Sequence, residues 1–89
     1  MDLCMRCFIS GKVQGVWFRA SSKTEADNLN LKGWARNLKD GRVEVLACGD
    51  EKQLETFSQW LQKGPDLAEV TQFSSEMLPW QEFPTFEIL

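Results

Sequence analysis

Leu38-Lys39-Asp40-Gly41 lies near the middle of the chain, between two runs rich in strand-forming residues, 33–37 and 42–48. Asp-Gly between such runs specifies a tight antiparallel hairpin. A central hairpin leaves a similar length of chain on either side, and each flank carries one strand-like run and one helical stripe. Upstream, residues 3–10 are short and apolar-rich with Gly11 as a stop. Met5, Cys7 and Ile9 share one face of that strand, and Cys4, Arg6, Phe8 and Ser10 the other. Residues 18–29 place Phe18, Ser22, Ala26 and Leu29 on one helical stripe, and Asn30 suits a left-handed C-terminal position. Ser22 and Glu25 also form a capping-box pattern that would start the helix later; the earlier start brings Phe18 into the core. Downstream, Asp50 opens a second helix with Gln53 as capping partner and Leu54, Phe57 and Leu61 as its buried stripe. Gly64-Pro65 ends it. Residues 68–75 read as a strand, with Val70 and Phe73 out of strict alternation and therefore a bulge. Residues 76–84 read as a loop with two prolines, and Thr85–Leu89 as a short last strand with Phe86 and Ile88 on one face.

The order is βαββαβ plus a final β. Right-handed crossovers around the hairpin give an antiparallel sheet in the order 4-1-3-2 with both helices on one face. The expected fold is α+β, a ferredoxin-like sandwich of one domain over residues 1–89, its last strand added at an edge. Val43, Val45 and Ala47 should face the helices. Such a scaffold carries many unrelated functions, so the chemistry must be read from residues.

Composition removes several classes. With no histidine among 89 residues, catalytic triads, His general bases and His-ligated metals are excluded. Three cysteines cannot make a four-thiolate zinc site. Net charge −3 is the wrong sign for a non-specific nucleic-acid binder. No apolar run reaches the roughly 18 residues of a membrane span. Asp2 and Arg6 break any signal-peptide core in residues 1–10, so the expected location is cytoplasmic.

Two segments can carry chemistry. Gly11-Lys12-Val13-Gln14-Gly15-Val16-Trp17-Phe18-Arg19 joins strand 1 to helix 1. Its glycines let backbone N–H groups converge, the helix N-terminus attracts anions, and Arg19 adds a fork suited to phosphate. Together these make an oxyanion cradle, although a tight turn with a solvated Arg is the plainer reading. It is not a Walker A loop, since no Gly-Lys-Ser/Thr follows. Gly33-Trp34-Ala35-Arg36-Asn37 is the second segment, and Asn37 taken alone reads as a turn former. Lys12, Lys23 and Arg36 read as solvated charges that can also raise the potential near the loop. Trp17 can line the mouth of the site, Trp34 and Trp60 read as core or sheet-cover residues, and Trp80 as partly exposed. Cys4 and Cys7 lie on opposite faces of strand 1 and do not form a redox pair.

These two segments carry a resemblance to the acylphosphatase family. Its first signature, Gly-x-Val-Gln-Gly-Val-x-Phe-Arg, matches residues 11–19 at every fixed position. Its second is Gly-aromatic-(Ala/Val)-(Lys/Arg)-Asn, three residues, Gly-x-Val, five residues, Gly; residues 33–43 and Gly49 match it throughout. The chain ends Phe86-Glu87-Ile88-Leu89, where many members end in an Ile-Arg-Tyr-like tail. The resemblance implies hydrolysis of the carboxyl–phosphate bond of small acyl phosphates, with no metal, no cofactor and no covalent phosphoenzyme. It implies that Arg19 and the N–H groups of Gln14, Gly15, Val16, Trp17 and Phe18 bind the phosphoryl group, and that Asn37 orients the attacking water. The expected partners are small acyl phosphates, with inorganic phosphate as product and inhibitor; no nucleic acid or membrane is expected, and the chain should be a monomer. A second reading is a non-catalytic phosphate- or carbamoyl-phosphate-binding module, as similar domains occur inside larger maturation proteins. A third, an RNA-binding sheet, needs aromatics on the middle strands, and strand 3 has none.

Strand pairing yields one more expectation. Strands 1 and 3 are antiparallel neighbours in this topology, so Cys4, near the start of one, lies beside Cys48, near the end of the other. Both point away from the helices while Cys7 points into the core. Directly opposed residues come within disulfide reach, so Cys4 and Cys48 can bridge under oxidising conditions, with Cys7 free.

Overall fold

The computed structural model describes all 89 residues, in the order β1 (Asp2–Lys12), α1 (Phe18–Asn28), β2 (Lys32–Asn37), β3 (Val43–Asp50), α2 (Glu51–Lys63), β4 (Glu69–Leu78) and β5 (Phe86–Ile88). The sheet order is β4-β1-β3-β2-β5. The β1–β3, β1–β4 and β2–β3 pairs are antiparallel, and β5 lies parallel to β2, so the sheet is mixed. The ferredoxin-like βαββαβ order and the added edge strand are as the sequence implied.

Both helices cover one face. Met5, Cys7 and Ile9 of β1, and Val43, Val45 and Ala47 of β3, meet Phe18 and Ala26 of α1 and Leu54, Phe57 and Leu61 of α2. Helix α1 starts at Phe18, and the Ser22–Glu25 pattern is not a cap: the Ser22 hydroxyl donates to the Phe18 carbonyl at 2.7 Å, one turn back within the helix. Asn30 has the left-handed φ of 59° that ends this turn. Helix α2 is capped by Asp50, whose carboxylate accepts from the Lys52 N–H at 3.1 Å. Trp60 stacks on Phe57 with ring centroids 6.2 Å apart.

In the ladder, Ser10 pairs with Gln72 and Gly11 with Val70, which leaves Thr71 as the extra residue of a bulge. Bulging restores Val70 and Phe73 to the helix side, where both pack against the core.

Strand β4 departs from the sequence reading by running on through Glu76, Met77 and Leu78, residues assigned there to a loop. Pairing with the long β1 extends it: Cys4, Met5 and Arg6 stand opposite Leu78, Met77 and Glu76. From Leu78 the chain must reach β5 at the opposite edge, so residues 79–85 cross the sheet face away from the helices. Leu78, Phe83 and Trp34 cover Cys4, Leu46 and Cys48 there. Alternation put Glu44, Leu46 and Cys48 on the face away from the helices, and there all three are buried. The structure places Cys4 directly opposite Cys48, with Cα atoms 4.0 Å apart and a Sγ–Sγ bond.

Candidate active site

The β1–α1 loop turns through two left-handed residues, Gly15 at φ 74° and Trp17 at φ 66°, the latter serving as the cap of α1. A bulky side chain seldom adopts that conformation. In this loop the N–H groups of Gln14, Gly15, Val16, Trp17 and Phe18 donate to no protein acceptor. They sit at the helix end where the dipole is positive. Val13 and Val16 are buried beneath and hold the loop down.

Arg19 follows in the first turn of α1. Its Nη1 donates to the main-chain oxygen of Leu89 at 2.7 Å, so the segment after β5 positions the guanidinium. Asn37 ends β2. Val13, Gly15, Trp17, Phe18, Arg19, Ala20, Asn37 and Ile88 line one cavity of about 420 Å³. Gln14, although in the loop, does not line it. Its side chain reaches across to the β2–β3 turn, where Nε2 donates to the Leu38 carbonyl at 2.8 Å and the Arg42 carbonyl at 3.0 Å. Those bonds fix the loop against the turn that carries Asn37. Neither this staple nor the Ile88 wall was anticipated; their only sequence signal was Gln14 being a fixed motif position.

Two other cations, Lys23 and Arg36, are engaged elsewhere. Lys23 donates to the Phe86 carbonyl at 2.8 Å and pairs with Asp27 at 3.2 Å. Arg36 pairs with Glu44 at 2.6 Å on the far face, where Arg6 meets the other carboxylate oxygen at 2.7 Å. Burial alone would raise the Glu44 carboxyl, but the hydrogen bonds and charges of Arg36 and Arg6 outweigh it and hold Glu44 below the usual carboxylate range.

The arrangement is an electropositive cradle beside a polar amide, under an apolar rim. It can hold a tetrahedral oxyanion by several backbone donors and one planar cation, with an amide placed to orient a neighbouring molecule. Comparison with known proteins gives the family. Residues 5–88 match the acylphosphatase family model. An acylphosphatase of Legionella pneumophila (strain Lens) is 61% identical over 88 residues, covering 99% of this chain and 97% of its own. Among solved structures, an acylphosphatase from Coxiella burnetii superimposes with TM-score 0.95 at 36% identity, covering 99% of this chain and 93% of that one. That from Bacillus subtilis gives 0.89 at 37%, with 98% of each covered. The α/β sandwich with its loop cradle is thus that of a hydrolase acting on acyl phosphates. The chain belongs to the acylphosphatase family.

Proposed function

We propose that the cavity holds the phosphoryl group of an acyl phosphate between the loop N–H groups and Arg19, with Asn37 positioning the water that attacks it. The observation that carries this reading is the meeting of Gly15, Trp17, Phe18, Arg19 and Asn37 on one cavity, at a loop whose N–H groups have no protein acceptor. Water adds to phosphorus as the bond to the carboxyl oxygen breaks. The electron pair leaves with the carboxylate, and the water protons pass to phosphate and solvent. A carboxylate, of pKa about 4, leaves without a general acid, which accords with a chain lacking histidine. What remains is positioning and charge stabilisation on the equatorial oxygens, and the cradle supplies both. The donor chemistry supports a metal-free reaction, since no three carboxylate or thiol side chains come together. The proposal extends to a monomer acting in the cytoplasm on small acyl phosphates, inhibited by its product phosphate.

Benzoyl phosphate hydrolysis, measured with and without EDTA and with inorganic phosphate as inhibitor, tests the roles. Arg19→Ala lowers kcat/KM by about 10²–10³, the cost of one preorganised donor, and weakens phosphate inhibition with it. Arg19→Lys rescues little, because a point charge does not reproduce the fork. Asn37→Ala lowers kcat while phosphate inhibition stays, since water positioning acts in the transition state. EDTA leaves activity intact. Unchanged phosphate inhibition in Arg19→Ala, or lost inhibition with retained kcat in Asn37→Ala, would reverse the assignments.

A further inference from the structure

Trp17 is the cavity residue whose side chain has no structural work. It is 75% exposed, stands outside the hydrophobic core and packs on no other ring, whereas Trp60 stacks on Phe57 and Trp34 covers Leu46. Its backbone is left-handed, a conformation Gly or Asn would adopt at lower cost. A large apolar surface kept in water at a strained position, on the wall of the cavity holding Arg19 and Asn37, points to a ligand. The side on which it stands follows from the reaction. In phosphoryl transfer the attacking and leaving oxygens are roughly in line, so the acyl group departs on the side of phosphorus away from the water. Asn37 projects from the sheet layer at the end of β2, and Ile88 belongs to the neighbouring strand of that layer. Trp17 caps α1, in the helix layer.

We infer that Trp17 is the platform for the acyl group, and that it selects aromatic and bulky apolar acyl phosphates over acetyl phosphate. The inference rests on the phosphoryl placement proposed above. An aromatic acyl group stacks on the indole as the phosphoryl group enters the cradle; an acetyl group gains little from it. Stacking of this kind changes relative rates by about two- to tenfold.

The experiment compares kcat/KM for benzoyl and acetyl phosphate, with inorganic phosphate as inhibitor, in the wild type, Trp17→Ala, Trp17→Phe and Ile88→Ala. The wild type prefers benzoyl phosphate. Trp17→Ala loses that preference by about two- to tenfold, chiefly through the benzoyl substrate, with phosphate inhibition retained. Trp17→Phe keeps most of it, and Ile88→Ala keeps it. An unchanged preference in Trp17→Ala overturns the inference, as does a parallel loss of both substrates and of phosphate inhibition, which would mean a damaged cradle. Equal loss in Ile88→Ala places the acyl group on the sheet side and overturns it too. A wild type that hydrolyses neither substrate removes the proposed function itself and this inference with it.

Discussion

Gln14 shows how one side chain can serve two parts of a site. Its main chain belongs to the loop that carries Gly15 and Trp17, while its carboxamide holds the Leu38 and Arg42 carbonyls of the β2–β3 turn. Both carbonyls also accept a backbone N–H, Arg42 from Leu38 and Leu38 from Gly41, so removing Gln14 leaves neither orphaned. The expected cost of Gln14→Ala is therefore about 1–2 kcal/mol, two ordinary hydrogen bonds, read as a lowered urea midpoint. Because the staple joins the cradle to Asn37, kcat should fall more than phosphate affinity. A stability loss with unaltered kinetics would make Gln14 a purely structural tie. At this scale the sequence was a partial guide. Six of the eight residues lining the cavity stood in two recognisable motifs, all but Ala20 and Ile88, but a motif cannot say that a glutamine amide turns toward a neighbouring hairpin.

Among the elements, β3 departs furthest from its sequence pattern. Alternation assigned Val43, Val45 and Ala47 to the core, and the structure agrees. The same alternation put Glu44, Leu46 and Cys48 on the face away from the helices, and they are buried because residues 79–85 and the long side chains of Arg6 and Arg36 cover them. Local periodicity reports which residues share a face; it cannot report that a distant segment returns over that face. The bulge in β4 was legible because Val70 and Phe73 broke the period, whereas the extension of β4 to Leu78 was not, since it depends on its partner β1. Glu44, 1% exposed between two arginines, gives this region a pH dependence. Its carboxyl is held below its usual value despite burial. Its contribution to stability is thus fully present above the unfolded carboxylate value, about 4.3, and is lost as pH falls through the lower folded value. Urea unfolding at pH 7 and in the acid range should show this fall, and Glu44→Gln should flatten it. At pH 7 Glu44→Gln should cost about 2–3 kcal/mol for the charge-assisted bonds; Arg6 and Arg36, 41% and 47% exposed, can return to water, so no stranded charge adds to that. An acid profile identical in Glu44→Gln and wild type would remove the carboxylate from the account.

Across the whole molecule, the crossing from β4 to β5 and the pairing of β1 with β3 meet at the Cys4–Cys48 pair. The register sets the two residues directly opposite, and Leu78, Phe83 and Trp34 shield them. The Gln81 N–H of the crossing segment donates to the Cys4 sulfur at 3.1 Å. Cys7 lies on the other face of β1, buried, and burial pushes its thiol up to about 12, so it stays protonated and unreactive. Only one pairing of the three cysteines is therefore geometrically open. Its partners are 44 residues apart in sequence, and closing a loop of that length removes enough unfolded-state freedom to stabilise by about 2–4 kcal/mol. The site should feel little of this, because the pair lies on the sheet face opposite α1 while the cradle sits at its N-terminus. Oxidised protein should show one free thiol after denaturation and unfold at higher urea than reduced protein, with kcat/KM for benzoyl phosphate nearly equal in both. Cys4→Ser should abolish the difference between oxidised and reduced forms, and Cys7→Ser should keep it. Three free thiols after oxidation, or a bridge that includes Cys7, would overturn the pairing, because either would mean that β1 and β3 do not hold this register in solution.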